Sequence, residues 1–500
     1  MILNSNLIRY LGLLFILISC LEKELDKLNH TNQLIEFSIL KKNNPQLDND
    51  IHFNINNNYV YGYSEDFLNG DNLIASFKHN AKSISINSIL QISDSSVNNF
   101  SNTMIYELKA ENGNSNFYSI VLESFTKIPV IFIETDSLKQ IKSKKEYIEG
   151  DLIFYGRDFY KNYINEKILI RGRGHFTWSL PKKPYQVKFL EKNSLFDLQA
   201  DKKWIFLANY LDLTMLRNSI AFELGYLSNL SWTPKYDYAE LFINNVYQGT
   251  YQITEKIEID NHRLNIDDNS FLLEIDQEER MDSDDIFFKT DNNLFRIKSP
   301  EDISMSSYEY IFINDFIKNI ETLLFSGQYE EFKKLVNIES FVDWYLINEI
   351  SKDDDGRFFS SVHMHLDPSV GKLFMGPIWD YDIAFGNIFR NNNEDPTGFW
   401  IKDNANWYVE LFKSKEFVEK VKLRFNYFYS NKDKIENTIN QLSLRINKSR
   451  IENNKVWNTL GKKIIPIIGF EFNSFDQEQN HLNQWLNIRF NWLKDELQKL

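Results

Sequence analysis

Two groups of acidic residues flank a predicted β-hairpin in the C-terminal half of the chain. The first group ends at Asp355, the second is Asp380 and Asp382, and strands over residues 362–366 and 372–376 separate them. Because an antiparallel hairpin with a short turn brings its two ends together, we expect these acids to meet. Carboxylates at one place repel each other unless a cation or a proton neutralises them. Oxygen ligands of this kind suit Mg²⁺ or Mn²⁺, which bind through one or two carboxylates together with substrate phosphates.

The order of these acids along the chain is that of protein kinases. There an aspartate that orients the substrate hydroxyl precedes a metal-binding aspartate, and positioning and charge neutralisation supply most of the catalysis. Asp380 and Asp382 lie in an apolar stretch, where a buried acid is costly without a function. Asp353 and Asp354 are interpreted instead as solvated or helix-capping residues. The sequence therefore favours metal-assisted phosphoryl transfer.

The elements that must position these residues change character along the chain. Short β-type runs fill residues 34–125, with Asn112-Gly113 marking a hairpin, and predict a small Ig-like β-sandwich. A second unit over 129–500 begins with strands and ends with helices, which is an α+β organisation. Apolar residues at helical spacing predict helices over 308–325, 338–350 and 475–500.

Composition and charge restrict the classes of partner. The chain has 500 residues, with 56 Lys and Arg against 70 Asp and Glu, and a formal charge of −14. An acidic chain is a poor match for nucleic-acid backbones, which need a basic surface, so no nucleic-acid partner is expected. A single cysteine excludes a disulfide scaffold within the chain.

That cysteine, Cys20, follows an apolar run over residues 11–18, which is too short to span a bilayer and suits a signal peptide. The segment resembles a bacterial lipobox, so residues 1–20 are interpreted as a lipoprotein signal peptide and 21–33 as a linker. The expected location is the bacterial cell envelope, periplasmic or surface-exposed, with a lipid on Cys20 as the membrane attachment. The alternative is a buried cysteine near a cleaved signal.

From about Ile131 to the C-terminus the sequence resembles the spore coat protein H (CotH) kinase family, whose members have an atypical protein-kinase fold. The order and spacing of several motifs carry the resemblance. They are Arg171-Gly-Arg-Gly174, Pro181-Lys-Lys-Pro-Tyr185, Trp204-Ile-Phe-Leu-Ala-Asn209, Leu216-Arg-Asn218, Tyr247-Gln-Gly-Thr-Tyr251, Thr254-Glu-Lys256, Phe271-Leu-Leu-Glu-Ile-Asp276, Gly376-Pro-Ile-Trp-Asp-Tyr-Asp382 and Ala384-Phe-Gly-Asn387. The resemblance implies a two-lobed fold, a β-rich lobe followed by an α-rich lobe, that uses ATP and Mg²⁺ or Mn²⁺.

The resemblance also implies roles for single residues. Asp355 matches the catalytic aspartate of the family, Asp380 matches the magnesium-binding position, and Asp382 is expected to assist it. Lys183 suits the lysine that contacts the nucleotide phosphates, although an ordinary exposed strand lysine is the alternative. One departure is Ser360, which stands where kinases commonly place an asparagine as a second metal ligand, and this leaves the number of metals open.

Further residues are candidates for the nucleotide site. Arg171 and Arg173 could clamp phosphate bidentately, or form structural ion pairs with Glu240 or Glu255. Arg217, at the start of a predicted helix, and Glu255, at the end of the strand-rich part, are placed near the nucleotide as well.

These expectations lead to one main function and two alternatives. The main one is an exported, lipid-anchored, ATP-dependent kinase that transfers the γ-phosphoryl group to Ser or Thr of a secreted or surface protein. The first alternative is a non-catalytic surface or adhesion scaffold with a pseudokinase body. The second is transfer of a nucleotidyl group. His363 and His365 are predicted to be an outward-facing strand pair rather than metal ligands.

Overall fold

The computed structural model describes residues 31–47, 49–64, 70–100, 103–123, 126, 128–155 and 163–500. The chain divides into two compact units, Met1–Lys127 and Ile128–Leu500. Cys20, the predicted signal peptide and most of the predicted linker lie outside the described residues. Among the helices that are described, none combines the length and the apolar character needed to cross a bilayer.

The first unit is built from strands. They are β1 Leu34–Ile39, β2 Ile51–Asn56, β3 Tyr59–Tyr63, β4 Leu73–His79, β5 Ser83–Ile86, β6 Ile89–Leu90, β7 Val97–Asn98, β8 Met104–Lys109 and β9 Ser115–Glu123. The predicted hairpin joins β8 to β9, and Gly113 has a φ of 91°, which only glycine adopts easily. The Asn-Gly hairpin is confirmed.

The strands of this unit form one continuous hydrogen-bonded order, β6-β5-β8-β9-β3-β2-β1-β4-β7. The Ig-like sandwich stays a prediction, because the pairing order does not say whether the strands form one layer or fold into two. Residues from seven of these strands, among them Phe37, Val60, Tyr106 and Ile120, enclose one core. A parallel pairing of β3 with β9 links the two halves, and short-range alternation in the sequence carries no information about that pairing.

The second unit begins with a closed barrel. Its strands are β10 Val130–Thr135, β11 Ile148–Tyr155, β12 Tyr163–Gly172, β13 Tyr185–Asn193, β14 Asp201–Leu207, β15 Tyr236–Ile243 and β16 Val246–Glu255, in the order β10-β11-β12-β13-β14-β16-β15, with β15 pairing parallel to β10. Strand β14 shows why the barrel has two apolar surfaces. Trp204 and Phe206 point into the barrel core, whereas Ile205 and Leu207, on the other face, belong to the core of the helical part.

The rest of the unit combines a sheet with helices. The strands are β17 Phe271–Ile275, β18 Phe287–Lys289, β19 Leu294–Ser299, β20 Val362–Asp367 and β21 Lys372–Met375, in the order β18-β19-β17-β20-β21. The helices are α1 Arg217–Leu227, α2 Tyr308–Phe325, α3 Tyr329–Leu335, α4 Ile338–Ser351, α5 Ile401–Asn404, α6 Asn406–Leu411, α7 Lys415–Ser430, α8 Lys432–Arg445, α9 Asn447–Trp457 and α10 Phe475–Leu497. Short 3₁₀ turns occur at 41–43, 136–138, 177–179 and 278–280.

The helix starts follow from their capping residues. The side-chain oxygens of Ser307, Asn337, Ser414 and Ser474 each accept a hydrogen bond from a backbone N–H in the first turn of α2, α4, α7 and α10. Helix α4 is buried on almost every side, because it lies between the five-stranded sheet and α7, α10 and α5. The predicted α+β organisation, β-rich first and helical later, is confirmed. The kinase-like two-lobed arrangement stays a prediction.

Candidate active site

The loop that carries Asp355 leaves the buried helix α4 by a sharp turn. Lys352 adopts the left-handed conformation, with a φ of 46°, and caps the helix by donating its backbone N–H to the carbonyl oxygens of Asn348 and Glu349. Its ammonium group donates to three backbone carbonyls of residues 392, 395 and 397, which fixes the start of the loop. A side chain at Gly356 would stand 2.7 Å from Asn348 Oδ1, so it would displace the Asn348 amide that accepts a hydrogen bond from Tyr381.

The β20–β21 hairpin brings Asp355 and the second acidic pair to the same end, as predicted. Ser361, which precedes β20, donates its hydroxyl to Asp380 Oδ2 at 3.4 Å. Asn218 at the start of α1 accepts from the backbone N–H of Tyr381, and Asn387 donates to the carbonyl oxygen of Asp382 at 2.7 Å. These two asparagines hold the segment 380–382 in place. Both belong to the sequence motifs, although neither was predicted as a site residue.

Four aspartates therefore form an acidic cluster, defined as Asp353, Asp355, Asp380 and Asp382. Burial and the charge of Asp380 raise the pKa of Asp355 to about 7. The pKa of Asp382 lies well above its ordinary value because of burial and the charges of Asp380, Asp212 and Asp355. The pKa of Asp380 is raised by burial, while Arg173 and Arg280 oppose the rise. Among the described residues the four carboxyls form no ion pair, and nearby arginines oppose their charge only in part.

Asp353 and Asp354 correct the sequence interpretation, because neither is solvated. Asp353 is buried, and burial together with the charges of Asp355 and Asp380 raises its pKa well above the ordinary value. Asp354 is buried and forms an ion pair with Arg390. The first of the three acids thus belongs to the cluster, and the second is a structural residue. An acidic run gives no sign of which members the fold will bury.

Ser360 has a different role from the metal ligand that the kinase pattern places there. Its hydroxyl donates to Asp276 Oδ1 at 2.8 Å and accepts from Arg280. Gln277 donates to the carbonyl oxygen of Phe359 at 2.6 Å, so the end of β17 is bound to the loop that follows Asp355. Asp276 closes one of the recognised motifs, and the sequence analysis gave it no role in the site.

Three predicted nucleotide residues lie in structural contacts. Lys183 donates to the carbonyl oxygen of Trp178 at 2.8 Å within its own loop. Arg217 is fully buried and pairs with Asp212 at 2.5 Å. Glu255 is buried and pairs with Arg263 at 2.9 Å. Among the described residues these three side chains bind these partners rather than the aspartates of the acidic cluster, although Asp212, the partner of Arg217, is close enough to Asp382 to raise its pKa.

Arg173 does reach the cluster, and Arg171 lies close by. The Arg173 guanidinium stands 5.3 Å from the centre of a Trp379 ring, and burial lowers its pKa while the charges of Asp380 and Glu274 oppose that shift. Arg171 lies over the Tyr147 ring at 4.8 Å. The alternative ion pairs are not what the structure shows, because Glu255 pairs with Arg263 and Glu240 accepts from Tyr247 and Thr250.

The sequence analysis gave no role to three lysines that influence one another and reach Glu274, the acid whose charge also acts on Arg173. Lys203 and Lys256 both bind Glu258, at 2.9 and 3.3 Å, and Lys298 binds Glu274 at 3.1 Å. Burial and the neighbouring charges of Lys203 and Lys298 lower the pKa of Lys256 although Glu258 opposes the shift. We call Arg173, Lys203, Lys256 and Lys298 the basic cluster.

The sequence contains a signal for two of these lysines. Lys203 precedes Trp204, which alternation places inside the barrel, so Lys203 shares the outer face with Ile205. Lys256 closes the recognised Thr254-Glu-Lys256 motif. Lys298 has no comparable signal, because it reaches Glu274 only through the pairing of β19 with β17.

The two histidines of β20 correct a further prediction. His363 and His365 are both buried rather than outward-facing. His363 lies 3.7 Å from Glu274, and its pKa is lowered by burial. His365 contacts Ser231 and the carbonyl oxygen of Gly376, and burial lowers its pKa to about 4. Strand β20 is the fourth of five in the sheet and is covered on both faces, which alternation within one strand does not reveal.

The acidic cluster is the candidate place for a divalent cation. Within the described part of the chain, no group of three or more His, Cys, Asp or Glu side chains has the spacing of a preassembled metal site. Mg²⁺ does not require one, because it commonly binds one or two carboxylates and completes its shell with water and substrate phosphates. Asp380 and Asp382 supply two such carboxylates; burial raises the pKa of both, and the charges of neighbouring aspartates add to the rise at Asp382. The donor set fits.

Fold and site together define a mixed α+β protein with an acidic centre next to a basic cluster. The family model of the CotH kinase protein matches residues 170–493, and the chain belongs to this family. The family supports a kinase-like function. No curated protein sequence matches the chain.

One solved structure that resembles the chain comes from Bacteroides thetaiotaomicron and is provisionally described as a glycoside hydrolase. It is 12% identical, covers 55% of this chain and 85% of its own, and has a TM-score of 0.18. At that TM-score the likeness carries no argument about fold or function.

Proposed function

We propose that this protein is an ATP-dependent protein kinase that transfers the γ-phosphoryl group to Ser or Thr of a secreted or surface protein. The observation that carries the proposal is the acidic cluster, in which Asp355 has a pKa of about 7 beside Asp380. A carboxylate with this pKa accepts a proton efficiently near neutral pH. Membership of the CotH kinase family supports the same chemistry.

Asp355 is proposed as the residue that orients the acceptor hydroxyl and receives its proton. The hydroxyl oxygen forms a bond to the γ-phosphorus, the bond from that phosphorus to the bridging oxygen breaks, and ADP leaves with the electron pair. The protonated Asp355 then loses its proton to water. Its neighbours maintain this geometry, since Gly356 permits the turn and Ser360 binds the loop to Asp276.

The nucleotide phosphates are proposed to lie between the acidic and basic clusters. Asp380 and Asp382 would hold Mg²⁺ or Mn²⁺, which neutralises charge on the phosphates when it is bound. Lys203 and Lys256 would act as point charges on the phosphates, and Arg173 would offer a planar pair of donors. This assigns to Lys203 and Lys256 the contact that the sequence assigned to Lys183.

The test uses the purified full-length chain in detergent with ATP labelled at the γ-phosphate, Mg²⁺ or Mn²⁺, and a Ser-containing acceptor. We expect labelled acceptor with the wild type and the control Asp291→Ala, which changes an exposed acid. We expect none with Asp380→Ala or with chelator. Equal transfer by wild type and Asp380→Ala would contradict the proposal.

The two alternatives give different results in the same assay. A pseudokinase scaffold would show no transfer and no metal-dependent thermal shift with any nucleotide. Nucleotidyl transfer would label the acceptor from ATP carrying the label at the α-phosphate. Ser360 is the residue that favours the scaffold alternative. It stands where kinases commonly have a metal-binding asparagine, and its hydroxyl binds Asp276 and Arg280 instead.

Export and lipid attachment through Cys20 are proposed on the sequence pattern alone. The expected result is a membrane-associated mature protein whose N-terminal residue is a lipid-modified Cys20. Cys20→Ser should release the protein from the membrane fraction or leave the precursor unprocessed. Unchanged membrane association of the processed Cys20→Ser protein would contradict lipid attachment.

A further inference from the structure

Arg357 stands two residues after Asp355 and is held by aromatic rings. Its guanidinium carbon lies 5.5 Å from the centre of the Phe359 ring and 5.7 Å from a Trp400 ring. Its Nε donates to the carbonyl oxygen of Asp354 at 3.0 Å. Stacking and this hydrogen bond together fix the plane of the guanidinium, so little further order is needed to bind a ligand.

The outer edge of this guanidinium is open. Among the described residues, no acceptor is within hydrogen-bonding distance of the two Nη groups, and the side chain is 25% exposed. Its charge acts on Asp355, whose pKa it lowers against the effect of burial. The buried Arg489, by contrast, uses its donors on Glu349 and on backbone carbonyls. Arg357 therefore offers a fixed pair of donors beside the catalytic carboxylate.

Arg280 lies against the same ring but is engaged differently. Its guanidinium is 5.5 Å from the Phe359 ring centre, and it binds Asp276 and Ser360. Its charge opposes the rise in the pKa of both Asp355 and Asp380, so it lies near both acids. Arg280 is thus a positioning residue whose guanidinium is used within the protein, whereas the two Nη groups of Arg357 have no acceptor among the described residues, although both side chains are 25% exposed.

The position of Arg357 favours the acceptor over the nucleotide. The basic cluster lies on the Asp380 side of the site, because the charge of Arg173 affects the pKa of Asp380. Glu274 links this arginine to Lys298, since its charge affects the pKa of Arg173 and its carboxylate pairs with Lys298. Arg357 acts on Asp355, the residue proposed to receive the proton of the acceptor hydroxyl. A group bound to Arg357 would therefore belong to the molecule that carries the hydroxyl.

We propose that Arg357 selects the acceptor, by binding an anionic side chain next to the Ser or Thr that is phosphorylated. The ligand chemistry is a carboxylate or a phosphate ester, either of which matches the two parallel donors of a guanidinium. This inference rests on the proposed kinase function and names its substrate class. Anchoring the neighbouring side chain would orient the hydroxyl towards Asp355, and orientation of this kind accelerates a transfer reaction.

The experiment compares peptides that differ at one position. A Ser peptide carries Glu, Gln, Lys or phosphoserine at each of the flanking positions in turn, and kcat/KM is measured with the full-length chain at saturating ATP and Mg²⁺. We expect the best Glu or phosphoserine peptide to exceed its Gln counterpart by about tenfold, the size of one charge-assisted contact. Arg357→Gln should remove this preference, and Arg357→Glu should transfer it to the Lys peptide.

A matched control separates this effect from a general loss of charge. Lys402 stacks on Phe399 and Phe412 and pairs with Asp403, and Lys402→Gln should keep the preference for the acidic peptide. Arg357→Lys keeps the charge but loses the paired donors, so we expect an intermediate preference. Arg357→Lys is also the variant to measure if Arg357→Gln fails to fold.

The possible outcomes distinguish a failure of the Arg357 proposal from a failure of the proposed kinase function. Transfer to every peptide without an acidic preference would overturn the inference and leave the kinase function intact. A rise in KM for ATP with Arg357→Gln, while the peptide preference stays, would also overturn it and would assign Arg357 to the nucleotide. Absence of transfer to any peptide would contradict the proposed function itself.

Discussion

Two sets of buried carboxylates lie in the C-terminal half of the chain, one among the packed helices and one at the ends of the β20–β21 hairpin. In the helices, Glu349 of α4 pairs with Arg489 of α10 at 2.5 Å and accepts two backbone N–H groups. Asp343 pairs with Arg424 at 2.5 Å in the same way. Each of these acids has an arginine committed to it.

At the hairpin the acids face one another. Burial raises the pKa values of all four members of the acidic cluster, and at Asp353, Asp355 and Asp382 the charges of neighbouring aspartates add to the rise. Asp354 gives the closest comparison, because it lies between Asp353 and Asp355 and yet has the ion pair with Arg390. Glu349, Asp343 and Asp354 thus each pair with an arginine, whereas among the described residues no member of the acidic cluster forms an ion pair.

The largest expected effect comes from neutralising an acid of the cluster. Asp355→Asn should lower kcat by about 10²–10⁴-fold, the usual contribution of a general base. At pH 8 its free energy of unfolding should rise or stay unchanged, because a like charge has been removed from beside Asp380. Kinetics and urea unfolding check this pair of results. A clear loss of stability would mean that Asp355 maintains the fold as Glu349 does.

The opposite result is expected for a compensated acid. Arg489→Met leaves Glu349 buried without its partner, and the free energy of unfolding should fall by about 3–5 kcal/mol. Urea denaturation measures the loss. Arg390→Met is the matched variant, because Arg390 is 38% exposed, so water can partly replace the lost charge on Asp354 and the loss should be smaller. Equal losses would show that exposure does not decide the difference.

The basic cluster gives a smaller effect on binding. Lys203→Gln should raise KM for ATP by about tenfold, or about 1.4 kcal/mol, because one charge near the phosphates is lost. Lys183→Gln should leave KM unchanged, since Lys183 donates to Trp178 in its own loop. Steady-state kinetics with ATP as the varied substrate compares them. A larger effect at Lys183 would restore the sequence-based assignment.

The smallest effect concerns stability and pH. The pKa of Asp355 is about 7 in the folded chain against an ordinary value of 3.8, so the folded state retains its proton more strongly. This contribution to stability is fully present below about pH 4 and is lost as the pH rises through about 7. Mg²⁺ should therefore raise the melting temperature by a few degrees at pH 8 and by less at pH 5. Scanning calorimetry measures it, and an equal shift at both pH values would exclude the cluster as the binding site.

Much of the fold follows from local pattern. Helix α2 covers the predicted residues 308–325, and α4 and α10 begin where they were predicted, because apolar periodicity and a capping Ser or Asn act within a few residues of the helix start. The hairpin between Asp355 and Asp380 follows from strand alternation and a short turn. The closed barrel was not predicted, because its closure depends on the parallel pairing of β10 with β15, more than a hundred residues apart.

For the candidate site, the sequence by itself determined the convergence of Asp355, Asp380 and Asp382, because one hairpin joins them. Only the tertiary structure decided which cations stand near them. It set Lys183 and Arg217 in structural contacts and brought Lys203 and Lys256 together on Glu258. The physical reason is range: a hairpin is a local structure, whereas an ion pair forms between whatever side chains distant strands and helices place within a few ångströms of each other.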